Sequence, residues 1–249
     1  MHQIFAKIKA QKGQIAILID PDKVTGKQQL LELIDKIHFS KVDYIFVGGS
    51  TVSKEAFEQT ITLLKANTSL PIVLFPGSYE QFSEEVDALL YLSLISGRNP
   101  EYLIGQHVAS AQRIYNSSVE TIPTAYLLID GGTKSSVAYV SQTTPIPRDQ
   151  VRISINTALA GVLQGKKVVF FDAGSGAKEA IPTELLQSFR AISDVPVIVG
   201  GGVTSITAIE SYAKHGANLI VIGNKIEDDP DFLLDIANYK RRCLVEGKL

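Results

Sequence analysis

Only one cysteine, Cys243, occurs in the 249 residues, which excludes an intramolecular disulfide framework and makes a reducing cytoplasm the expected setting. Neither charge sign dominates. The 24 Lys and Arg against 26 Asp and Glu leave a formal net charge of -2, so there is no basic footprint and nucleic acid is not an expected partner. No cationic start leads into an apolar run, and no stretch approaches the roughly 18 continuous apolar residues of a membrane span. Neither secretion nor a membrane span is expected. The four histidines, His2, His38, His107 and His215, lie at no metal-site spacing to one another, and each reads as a surface or capping residue. No linker, low-complexity segment or charge run divides the chain, so residues 1–249 read as a single domain.

What is present is an ordinary globular composition, 45% hydrophobic and 20% charged, in a chain long enough to bury a full core. Continuous apolar runs recur at Ile15–Ile19, Tyr44–Val47, Ile72–Phe75, Ala88–Leu94, Ala125–Ile129, Lys167–Phe171, Val195–Val199 and Leu219–Ile222. Continuous rather than alternating runs fit parallel strands buried on both faces. Helical periodicity fills most intervals: Lys27–His38, Ser53–Ala66 with Ser53 as N-cap, Tyr102–Tyr115, Arg148–Leu163, Pro182–Ile192, Ser205–Lys214 and Pro230–Arg241. Pro182 and Pro230 suit first helical turns. The alternation predicts an α/β fold, a (β/α)8 TIM barrel. In one unit only Pro76–Asp87 separates two strands, so a loop or single turn replaces the third helix. Asp130–Pro147 reads as a long non-helical insertion folding over the barrel mouth.

Three glycine turns follow successive strands: Asp172-Ala173-Gly174-Ser175-Gly176-Ala177, Val199-Gly200-Gly201-Gly202-Val203 and Ile222-Gly223-Asn224-Lys225. Glycine lets backbone amides approach an anion closely, and three turns in register predict a phosphate cradle. Amides and helix dipoles supply its positive potential without an arginine. The first strand exits into Asp20-Pro21-Asp22-Lys23 and the second into Gly48-Gly49-Ser50-Thr51. A carboxylate beside a hydroxyl near a phosphate site suits Mg2+, a hard cation that takes oxygen ligands. The plainer reading of Asp20 is a turn whose aspartate caps a helix. Asp172 ends the sixth strand beside the cradle, where it can act as a general base or simply tie down its own loop. Lys240–Arg242 reads as a solvated helix end. Tyr91, Tyr102, Tyr115 and Tyr126 read as core or core-edge residues, with one or two available to line an apolar groove.

These motifs make the chain resemble the geranylgeranylglyceryl phosphate synthase family, which includes bacterial heptaprenylglyceryl phosphate synthases. The likeness runs along nearly the whole chain: Ile19-Asp-Pro-Asp-Lys23, Val47-Gly-Gly-Ser50, Leu74-Phe-Pro-Gly77, Ala173-Gly-Ser-Gly-Ala177, Val199-Gly-Gly-Gly202 and Ile222-Gly-Asn224. Ser96-Gly-Arg-Asn-Pro100 and Pro145-Ile-Pro147 resemble the longer branch, shared by archaea and Bacteroidetes-type bacteria.

The resemblance implies a prenyltransferase of lipid biosynthesis that moves a polyprenyl group from its diphosphate to the 3-hydroxyl of sn-glycerol 1-phosphate. It implies Mg2+ held by Asp20 and Ser50. It further implies sn-glycerol 1-phosphate held by Phe170, Phe171, Asp172, Ala173, Gly174, Ser175 and Gly176 with Gly201, Gly202, Gly223 and Asn224. A homo-oligomer releasing its product near a membrane is implied as well. Two positions depart from the family pattern, which commonly has Tyr-x-Glu where this chain has Phe170-Phe171-Asp172. Loss of the hydroxyl removes a contact of about 1 kcal/mol. The shorter carboxylate is set back by one methylene, and a misplacement of about 1 Å can cost on the order of a hundredfold in rate. The competing readings are a phosphosugar isomerase or aldolase barrel, which wants an acid/base pair or a mid-strand lysine, and a non-catalytic phosphate-binding barrel. An apolar channel at the mouth is expected only for the prenyltransferase.

Overall fold

Gln14–Ile19 (β1), Tyr44–Val47 (β2), Ile72–Leu74 (β3), Ala88–Leu94 (β4), Glu120–Leu128 (β5), Val168–Asp172 (β6), Val197–Gly200 (β7) and Leu219–Ile222 (β8) close into one parallel barrel in chain order, β8 pairing back onto β1. The computed structural model describes residues 3–24 and 26–246, so His2 lies outside them. Side chains alternate along each strand. Phe46, Leu90, Tyr126, Leu128 and Phe170 fill the barrel interior, whereas Ile45, Leu127, Phe171 and Val199 pack outward under the helices. Burial on both faces explains the unbroken apolar runs.

The helices are Ile4–Ala10 (α1), Lys27–Ser40 (α2), Lys54–Asn67 (α3), Gln106–Tyr115 (α4), Ser136–Ser141 (α5), Val151–Leu163 (α6), Thr183–Arg190 (α7), Ile206–Lys214 (α8), Asn224–Asp228 (α9) and Phe232–Val245 (α10). Ser53 caps α3, its hydroxyl accepting the Ala56 N–H at 3.3 Å. Pro182 stands at the N-cap of α7, and Pro230 precedes α10. No helix joins β3 to β4, as the short Pro76–Asp87 interval implies. A π-helical turn, Glu101–Gly105, begins the segment that continues as α4.

Several expectations are corrected. The insertion after β5 is not wholly irregular: α5 forms within it, with Ser135 capping through Ala138 N–H. The strand before it starts at Glu120 rather than Ala125. Pro123 is tolerated there because its carbonyl, not an N–H, is used, accepting from Lys167 N–H at 2.8 Å. Neither α1 nor α9 was legible, since seven and five residues are too short for a helical period to stand out. Tyr115 is 90% exposed rather than core. Lys240 is buried, not solvated, because Asp43 receives its ammonium at 2.6 Å. Among the described residues no helix is long and apolar enough to cross a membrane.

Candidate active site

The strand ends open onto a cavity of about 370 Å³. Asp20, Ser50, Phe170, Asp172, Gly174, Ser175, Gly176, Gly201, Gly202, Gly223 and Asn224 all line it, so the glycine turns and the first two strand exits converge as the sequence predicts. Phe171 and Ala173 do not. Strand alternation turns them into the layer between barrel and helices, where the Phe171 ring meets Phe189 edge-on at 5.7 Å. The insertion lies over the mouth: Ser136, Val137 and Val140 line the cavity, and Lys178 and Glu179 N–H donate to the Gly131 carbonyl.

In the cradle, Gly174 and Gly176 have φ of +87° and +73°, a left-handed conformation that strains residues carrying a Cβ. A Cβ at Gly201 would lie 2.7 Å from Gly174 N and 2.8 Å from Asp172 Oδ1, so only glycine lets the β7 loop approach the β6 loop this closely. Asn224 joins the two sides. Its Oδ1 accepts from Gly176 N–H at 2.8 Å and from the Ser175 hydroxyl at 3.0 Å. Its amide donates to Glu227 Oε2 at 2.9 Å, which also receives Lys23 Nζ at 2.7 Å. This chain of contacts links the β6 loop to the β1 exit. Glu227 was not foreseen, because it sits on a helix too short to read from the sequence.

At the β1 exit, Asp20 Oδ1 accepts the Asp22 N–H at 3.2 Å and closes the 3-10 turn Pro21–Lys23. The capping role is therefore real, but it uses one oxygen. Oδ2 stands 4.0 Å from Lys23 Nζ. Burial raises the Asp20 pKa above its ordinary value, against the lowering effect of the Asp22 amide and Lys23. A Cβ on Gly49 would lie 2.6 Å from Asp20 Oδ1, so the missing side chain allows the Gly-Gly-Ser turn to close on the carboxylate. Gln81 holds that turn, donating from Nε2 to the Gly49 carbonyl at 2.9 Å and accepting Gly77 N–H at 3.0 Å. Asp22 is engaged elsewhere, accepting from the Ser53 N–H and hydroxyl at 3.2 and 3.3 Å. Among the described residues no group of three or more His, Cys, Asp or Glu side chains could hold a metal ion. One carboxylate and one hydroxyl fit Mg2+ only where water and substrate phosphates complete the shell, as that ion commonly requires.

Asp172 is buried at the end of β6. Its Oδ1 accepts Gly174 N–H at 2.9 Å, and its Oδ2 accepts the Tyr126 hydroxyl at 2.5 Å. Burial raises its pKa, opposed by those two hydrogen bonds. Burial and then the neighbouring carboxylate push the Tyr126 phenol well above its ordinary range, so it remains a donor.

From there the cavity continues past Leu89, Tyr91, Phe82 and Ile114. This apolar arm lies beside the Pro76–Asp87 stretch, where the absent third helix leaves the β4 flank open. Tyr91 and Tyr102 line it, fulfilling the groove reading for two of the tyrosines. His107 also lines it, stacked on Tyr91 with centroids 4.2 Å apart. Its Nε2–H donates to the Leu92 carbonyl at 2.6 Å, and burial lowers its pKa, favouring the neutral ring.

The chain is similar to known proteins in sequence and in fold. The geranylgeranylglyceryl phosphate synthase of Chitinophaga pinensis is 47% identical over 223 residues, covering 90% of this chain and 88% of that protein. The same-named protein of Zunongwangia profunda is 44% identical over 220 residues, covering 88% and 93%. Among solved structures, the (S)-3-O-geranylgeranylglyceryl phosphate synthase of Thermoplasma acidophilum, in complex with its substrate sn-glycerol-1-phosphate, superimposes with a TM-score of 0.88 at 30% identity, covering 95% of this chain and 96% of that one. The PcrB family model matches residues 7–240, and on these grounds the chain belongs to the PcrB family.

Proposed function

We propose that the protein is a phosphoglycerol geranylgeranyltransferase, joining a polyprenyl group to the 3-hydroxyl of sn-glycerol 1-phosphate. One observation carries this reading: a glycine cradle, a buried carboxylate and an apolar arm share a single cavity. Phosphosugar chemistry would use the cradle but has no need of the arm. The cavity's lysines, Lys23 on the 3-10 turn after β1 and Lys225 on α9, are paired with Glu227 and Asp229, which disfavours a Schiff-base aldolase.

The cradle amides of the β6, β7 and β8 turns bind the phosphate of sn-glycerol 1-phosphate and present its 3-hydroxyl to Asp172. The apolar arm takes the prenyl chain and excludes water from its reactive end. Asp20 and Ser50 would hold Mg2+, which when bound supplies positive charge against the leaving diphosphate. The hydroxyl oxygen bonds to the allylic carbon as the carbon–oxygen bond to diphosphate breaks, and Asp172 receives the hydroxyl proton. Ether and diphosphate are the products.

The product, one phosphate on a long apolar chain, leaves toward a membrane surface from a protein working in the cytoplasm. Val108 and Tyr115 on α4 and Leu163 on α6, 70%, 90% and 88% exposed, favour a homo-oligomer, which sedimentation would measure. The decisive assay incubates the protein, Mg2+ and labelled sn-glycerol 1-phosphate with prenyl diphosphates of graded length. A labelled, extractable prenyl ether supports the reading, and its absence at every length removes it.

A further inference from the structure

Phe170 stands where a tyrosine would bring a hydroxyl into the cavity, yet a hydroxyl is present, delivered from the neighbouring strand. Tyr126 pairs with Phe170 in the β5–β6 register, and Leu128 pairs with Asp172. Tyr126 therefore starts two residues short of the carboxylate, and its side chain extends toward the strand end to reach it. Its ring is fixed by two edge-to-face contacts, with Phe170 at 5.4 Å and Phe75 at 5.6 Å, while Phe75 and Phe170 stack on each other at 5.0 Å.

We propose that Tyr126 is a positioning residue for Asp172, its hydroxyl setting the carboxylate plane from β5 while Gly174 N–H sets it from the cradle. The proposal rests on the function given above. One donor on each oxygen matters because the terminal torsion of aspartate is broad and only loosely restrained by itself. Remove the Tyr126 hydroxyl and Oδ2 loses its partner, leaving the carboxylate free to rotate away from the substrate oxygen. The phenol serves only as a donor, since burial and the adjacent carboxylate keep it protonated. Besides Asp172, the charged side chains lining the same cavity among the described residues, Asp20, Asp22, Lys23, Lys225 and Glu227, stand at the β1 and β8 ends, so none replaces this contact.

The test is Tyr126→Phe, which keeps the ring and both edge-to-face contacts, in wild-type and Asp172→Asn backgrounds. In the wild-type background kcat should fall about tenfold to a hundredfold, as expected for a hydrogen bond to a charged group. KM for sn-glycerol 1-phosphate should stay nearly constant, and the acidic limb of kcat should move to higher pH. In Asp172→Asn the same change should have no further effect. A carbon-13 titration of labelled aspartate carboxyls, with Asp172 assigned from Asp172→Asn, needs no turnover: the midpoint should rise in Tyr126→Phe. Full kcat in Tyr126→Phe, an equal loss in both backgrounds, a rise confined to KM, or an unmoved midpoint would each overturn the proposal. An inactive wild-type protein would instead count against the assigned reaction, and the titration would still judge the pair.

Discussion

Gly176 N–H donates to Asn224 Oδ1 at 2.8 Å, joining the turn after β6 to the turn after β8. The amide that the proposed function gives to a phosphate is thus already paired with a side chain, and an arriving phosphate oxygen would compete with the Asn224 carboxamide for it. Binding would then draw on the left-handed Gly176 backbone. Valine at position 176 meets open space but must adopt φ near +73°, which a β-branched residue resists. Gly176→Val is expected to raise the half-saturating sn-glycerol 1-phosphate concentration far more than that of the prenyl diphosphate. Calorimetry with each ligand measures this, and equal losses would place the cradle elsewhere or assign it to the diphosphate.

Asp20 caps the turn after β1 and, in the proposed function, would also hold Mg2+, and one substitution separates the two. Asparagine retains the oxygen that caps the Pro21–Lys23 turn, so the fold should survive Asp20→Asn. The charge is lost, and a neutral amide offsets little of the diphosphate charge. The variant should melt like the wild type, bind Mg2+ with diphosphate weakly in calorimetry, and show no turnover. Near-normal activity at saturating Mg2+ would end the assignment of Asp20 as a ligand.

Much of this site was legible because glycine turns and strand exits announce themselves locally. Asp172, Gly174 and Gly176 adjoin in sequence, and strand order brings the β7 and β8 turns to them. Ser53 was legible as an N-cap for the same local reason. What was hidden depends on register. That Phe170 and Asp172 face the cavity while Phe171 and Ala173 face the helices follows from which alternate set points inward, which an unbroken apolar run conceals. The Tyr126–Asp172 contact spans 46 residues and needed the β5–β6 pairing. Gln81 and Glu227 sit on a loop and a five-residue helix, with no periodicity to mark them.

Lys240 is another contact that register concealed, and it yields a stability prediction. Its ammonium is buried against Asp43 Oδ2 at 2.6 Å, while the same carboxylate oxygen accepts Ile15 N–H at 2.9 Å. The pair ties α10 to the starts of β1 and β2. Removing one partner of a buried ion pair costs about 3–5 kcal/mol, and the partial exposure of Asp43 puts Lys240→Ala near the lower end. Denaturant unfolding should show a loss of about 3 kcal/mol with kcat preserved, because Lys240 lies outside the cavity lining. An unchanged midpoint would mean the pair contributes nothing net.

Asp172, though one methylene shorter than the common family residue, is expected to receive the hydroxyl proton. It is buried, it lines the cavity beside the cradle, and among the described residues no histidine other than His107, in the apolar arm, lines that cavity. Asp172→Ala should lower kcat by roughly 10²–10⁴ with little change in sn-glycerol 1-phosphate affinity. Asp172→Glu should retain substantial activity. The pH dependence has a definite sign. Burial raises the folded-state pKa, so kcat should fall as pH drops through a midpoint above the ordinary carboxylate value, and Asp172→Ala should lose that limb. Stability runs the other way. A carboxyl raised on folding stabilises only below its unfolded pKa, and that contribution is lost as pH rises through the folded value. At neutral pH Asp172→Asn should therefore unfold no more readily than the wild type. A fully active Asp172→Ala protein would remove Asp172 as the base and leave the substrate phosphate or the departing diphosphate as the proton acceptor. A collapse of folding in Asp172→Asn would show instead that the carboxylate exists to tie down its own loop through Gly174.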